Sequence, residues 1–149
     1  MLKKGSFVLS IWCIVNFLLA FIILSYVLIF KKNSPILQVA AFSEVEIASL
    51  SAKTMATLNC FTILYNSCSL AISVLTLRLI RKNLVAGEKW AFWQLVGVIG
   101  FVEAMAFLAS SLIGNGRWQV NVVQSILYLA GIGLSGFSIF TGAKNEFSS

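Results

Sequence analysis

The chain has no histidine, no aspartate and a single proline, and only 11% of its residues are charged. Its five acids are all glutamate, at positions 44, 46, 88, 103 and 146. Without an imidazole there is no His general base, no His-ligated zinc, iron or haem, and no Ser-His-Asp or Cys-His couple. Cys13, Cys60 and Cys68 form no C-x-x-C pair and no metal-ligand spacing, and their odd number argues against a disulfide framework. They read as small apolar side chains, with Cys13 and Cys68 at similar depths and within reach of one another. No metal site and no cofactor is expected.

What fills the chain instead is apolar. Hydrophobic residues make up 59% of it, against about 45–50% in an average soluble domain, where charged residues reach about 25%. They are gathered into four blocks, Phe7–Phe30, Thr54–Leu77, Trp90–Ile113 and Trp118–Thr141, each 24 residues long. At about 1.5 Å per residue each block covers roughly 36 Å, enough to cross a hydrocarbon core of about 30 Å with some tilt. The expected fold is an all-α integral membrane protein: one transmembrane domain over 1–149, built as an antiparallel bundle of four spanning helices. The apolar run after Lys3-Lys4 exceeds the roughly 7–15 residues of a signal h-region, so it reads as an uncleaved first span.

The net charge of +6 then concerns orientation rather than nucleic acid, which is not expected as a partner. Seven basic residues, Lys3, Lys4, Arg78, Arg81, Lys82, Lys89 and Lys144, fall on the side of the termini, against Lys31, Lys32, Lys53 and Arg117 on the other. That bias predicts both termini in the cytoplasm, and the membrane expected is a bacterial inner (cytoplasmic) membrane. Trp90, Trp93 and Trp118 stand at span ends, as aromatic belts require. Between the first two spans, Ser34-Pro35 reads as an N-cap with proline at the first helical position, and Ser43 with Glu46 as a capping box. A helix from Glu44 to about Lys82 carries the second span beyond the bilayer. Gly114-Asn115-Gly116 marks a tight turn between the last two spans.

Helices in lipid associate through small and polar residues, so these mark the interior. Asn59, Thr62, Asn66, Ser69, Ser73 and Thr76 share one arc of roughly 100° on the second span. Asn121, Gln124, Ser125, Tyr128, Gly131 and Ser135 share one face of the fourth. Glu103 lies near the middle of the third, where an ionisable group costs several kcal/mol and faces protein or water. Counting along the helices from the side of the termini places Asn16, Asn66 and Glu103 at about 14, 17 and 20 Å. These three are expected to form an intramembrane polar cluster, with Asn59, Thr62, Tyr65, Ser69, Asn121, Gln124 and Tyr128 as candidate lining.

Two functions follow from that cluster. As interhelical glue it belongs to a non-enzymatic accessory or assembly subunit, whose partners are membrane lipids and other membrane protein subunits or a second copy of the chain. As a polar cavity it belongs to a small transporter, or to a ligand- or lipid-binding protein working through Glu103. No catalytic constellation is apparent, and enzyme chemistry is the least favoured class.

Overall fold

The computed structural model describes residues 1–35, 37, 42–113 and 119–141, with the side chains of 113, 119 and 120 excepted. Five helices are described: α1 (Leu2–Leu28), α2 (Glu44–Ser49), α3 (Ala52–Leu79), α4 (Lys89–Ile113) and α5 (Gln119–Thr141). The helix of α3 continues through a π-helical turn, Ile80–Leu84. Four of these segments, Leu2–Leu28, Ala52–Leu84, Lys89–Leu112 and Asn121–Thr141, are long and apolar enough to cross a membrane. The chain is therefore a multi-span membrane protein with an all-α four-helix bundle. The segment Ala52–Leu84 is 33 residues, about 50 Å at 1.5 Å per residue and so longer than the roughly 30 Å hydrocarbon core. The expected Gly114–Gly116 turn and the residues after Thr141 lie outside the described residues.

The second span does not begin at Glu44. Leu50 and Ser51 are extended, with ψ of 139° and 149°, and separate the six-residue α2 from α3. The break follows from local side-chain bonding. Ser49 Oγ donates to the Glu46 carbonyl at 2.7 Å, and Ser51 Oγ accepts from the Thr54 N–H at 3.1 Å, which restarts the helix. Periodicity alone carries no signal for this, because no Gly or Pro marks the interruption.

The capping box of α2 is complete. Ser43 Oγ accepts from the Glu46 N–H at 3.3 Å, and the Ser43 N–H donates to Glu46 Oε2 at 2.8 Å. The backbone N–H of Ser43, and then its hydroxyl, hold the Glu46 carboxyl below its usual range. Because the folded value is the lowered one, the contribution of the box is complete above the ordinary carboxylate range and is lost as pH falls through the lowered value. Helix α2 is expected to fray on acidification, read from the amide shifts of Ser43 and Glu46 through a pH titration. Ser43→Ala, which removes the hydroxyl but keeps the backbone N–H, should move the Glu46 midpoint part of the way back toward the ordinary range; an unmoved midpoint would contradict the assignment.

Helix α1 is central, packed along both α3 and α5, while α4 packs on α5 and on the π turn. The contact of α1 with α5 is close because small residues face each other. A methyl group at Gly5 would lie 2.6 Å from the Ser135 nitrogen and 2.9 Å from the Gly131 carbonyl oxygen. At Gly131 it would lie 2.6 Å from Leu9 Cγ. Gly5 thus stands against Ser135, Leu9 against Gly131 and, two turns on, Asn16 against Gln124. This antiparallel register advances in step along both helices, as the small-xxx-small pair Gly131 and Ser135 allows.

An apolar core fills the half of the bundle nearest the π turn: Leu9, Trp12 and Cys13 pack with Ile80, Leu84, Phe92, Leu95, Ile99 and Ile139. Cys13 is buried there, whereas Cys60 and Cys68 are exposed. Similar depth, which put a Cys13–Cys68 contact within reach, does not fix which face of α3 turns inward, and Cys68 is on an exposed one.

Candidate functional site

The polar centre of the bundle is assembled on α1, α4 and α5. Glu103 on α4 is 6% exposed. Its Oε1 accepts from the indole Nε1–H of Trp12 on α1 at 2.7 Å, and its Oε2 accepts from the Ser125 hydroxyl on α5 at 2.6 Å. Both partners are neutral, and together they engage both carboxyl oxygens. One helical turn further along α1, the Asn16 amide donates to the Trp12 carbonyl at 3.2 Å, and the Gln124 amide donates to Asn16 Oδ1 at 3.3 Å. Gln124 precedes Ser125 in sequence, so the two bonds from α5 close one continuous network across three helices.

Each member is placed by its helix. Trp12 is 1% exposed and lies three residues beyond Leu9 in the core, which holds its ring and aims the N–H across to α4. Trp12 was not among the residues expected here. A tryptophan in mid-span, unlike Trp90 and Trp93 at a span end, cannot reach water with its N–H and needs an internal acceptor. That requirement marks Trp12 as needing a buried acceptor, although depth along the chain does not by itself single out Glu103 as that acceptor.

The remaining candidates separate into other contacts. Asn66 is buried but donates to the Thr62 carbonyl of its own helix at 2.7 Å. The expected three-residue cluster is thus divided: Asn16 shares a network with Glu103 through Trp12, and Asn66 bonds within α3. Thr62 and Asn59 hold the segment that follows α1. The Ser34 N–H donates to Asn59 Oδ1 at 2.8 Å, and the Ser34 and Thr62 hydroxyls meet at 2.6 Å. Ser34 is 2% exposed, so this segment folds back against α3 about 15 Å from the start of that helix. Ser69 is half-buried on the same face. Tyr65 is 65% exposed and does not line the interior. Its neighbour Asn66, about 100° around the helix, takes the inward position instead.

On α5, Asn121 donates to the Ala106 carbonyl at 3.2 Å and to Ser110 Oγ at 2.5 Å. The Tyr128 hydroxyl donates to the Val96 carbonyl at 2.9 Å, over Gly100, where a methyl group would stand 2.9 Å from the phenol oxygen. Nearly every polar residue on the α5 face is thereby spent on α1 or α4. Among the described residues, no group of three or more His, Cys, Asp or Glu comes together to hold a metal ion. Comparison with protein-family models, with curated proteins and with solved structures finds no match.

Proposed function

We propose that the protein is a non-enzymatic accessory or assembly subunit of a bacterial inner membrane, with both termini cytoplasmic, that contacts other membrane proteins or a second copy of itself. The carrying observation is that the polar groups of the centre are paired with one another across α1, α4 and α5. Such pairing orients helices in lipid, where each interhelical bond contributes about 0.6–2 kcal/mol. Docking would then fall to what projects: α2, none of whose residues is buried, and the first turns of α3 beyond Ser34.

One observation favours a second reading, a small transporter or ligand-binding protein working through Glu103. A glutamine could accept from Trp12 and donate to Ser125, so glue alone does not require a carboxylic acid at this position. Mild-detergent purification at native abundance, after cross-linking in the membrane, separates the two. The subunit reading expects a defined protein partner or homo-oligomer, lost when α2 is deleted and unaffected by Glu103→Gln. A lone monomer together with a proton- or substrate-linked phenotype of Glu103→Gln would overturn it in favour of the second.

A further inference from the structure

The end of the bundle formed by the start of α1, the π turn and the start of α4 is strongly basic. Lys3, Lys4, Arg78, Arg81, Lys82 and Lys89 are all exposed there. The π turn packs against both α1 and α4, which draws the three groups of charges together. Glu88 is the one acid at this end among the described residues, and its Oε2 is occupied by the Asn83 amide at 2.8 Å. Among the described residues the opposite end is less basic, with Lys31, Lys32 and Lys53 set against Glu44 and Glu46.

Exposed apolar side chains border the basic ones. Phe7, Val85, Trp90 and Trp93 are 66%, 42%, 55% and 60% exposed. Lys89 Nζ stands 5.8 Å above the Phe140 ring, and Phe140 in turn lies 6.1 Å from Trp93. A ligand covering this surface must therefore present a negative group to the cations and hydrocarbon to the rings beside them. A soluble polyanion satisfies only the first requirement. We propose that this end is a binding surface for anionic phospholipid, with Arg78, Arg81 and Lys82 taking the phosphate and headgroup and the aromatic border taking the upper acyl chain. The surface lies at the opposite end from α2, so it operates whether or not a protein docks there.

The experiment uses the full chain in mild detergent, with bound lipid counted by native mass spectrometry and thermal stability followed in parallel. Phosphatidylglycerol is offered against phosphatidylcholine. A preference of about tenfold or more for phosphatidylglycerol is expected, since each nearby cation adds severalfold. R78Q/R81Q/K82Q should remove most of it, while K31Q/K32Q/K53Q, with the same loss of charge at the other end, should retain it. Should the first variant fail to fold, the wild-type preference must still collapse from low to high salt. Equal retention of the two lipids, equal loss in the two variants, or insensitivity to salt would overturn the proposal. So would full competition by glycerol phosphate, which lacks acyl chains, or a preference for added RNA or acidic polypeptide over phosphatidylglycerol.

Discussion

Replacing Gly5 with valine is expected to separate α1 from α5 and to lower the stability of the bundle by about 3 kcal/mol or more, at or beyond the upper end of the range for overpacking. The reason is what the new atoms would meet. A first methyl group already falls 2.6 Å from the Ser135 nitrogen and 2.9 Å from the Gly131 carbonyl oxygen. Both are helix backbone, which cannot move aside as a flexible side chain can. Since Gly5, Leu9 and Asn16 meet α5 in one register, opening the contact at Gly5 should also loosen Gln124 from Asn16. Gly133, where a methyl group meets nothing within 4 Å, is the matched control. Gly133→Val should be nearly silent, apart from the helix propensities of the two residues. The check is unfolding in mixed micelles, with both variants compared in the same detergent. Equal stability of the two would show that α1 and α5 do not approach as described.

The second large effect is expected at Glu103. Interhelical hydrogen bonds in lipid average about 0.6 kcal/mol, because unfolded helices in the membrane find other partners. Orphaning is different: a buried donor left without an acceptor costs about 1–3 kcal/mol. Glu103→Leu orphans the Trp12 N–H and the Ser125 hydroxyl together, so a loss of about 2–6 kcal/mol is expected on that scale. Glu103→Gln should cost less than about 1 kcal/mol, since its carbonyl accepts from Trp12 while its amide donates to Ser125. Trp12→Phe in the wild-type background removes one donor from the carboxyl. In the Glu103→Leu background it removes a group already unpaired, and should cost clearly less. The difference between those two costs measures the Trp12–Glu103 interaction. Additive effects would show that the pair is not coupled.

These two predictions rest on different kinds of information. The small residues at 131 and 135, like the polar face of α5, stand out along the chain because lipid offers no reason for them on an outward surface. Their partners do not stand out. Gly5 looks like one more residue of a first turn, and Trp12 counts in any hydropathy sum as apolar bulk. The expectation that Asn66 would join Glu103 came from similar depth, yet depth is only one of three coordinates. The rotation of α3 about its axis and its position beside α1 directed Asn66 to its own helix, and left Tyr65 facing outward at 65% exposure.

The amino-acid sequence alone determined that this is a four-span membrane protein without imidazole chemistry, because span length and the cost of charge in hydrocarbon are properties of the chain read residue by residue. It also singled out Glu103 as the mid-span carboxyl. Only the tertiary structure decided that α1 is the central helix, that it meets α5 at Gly5 and Gly131, and that Trp12 and Ser125 satisfy the carboxyl. Those outcomes depend on register and rotation between helices, which small differences in packing select and which no single segment encodes.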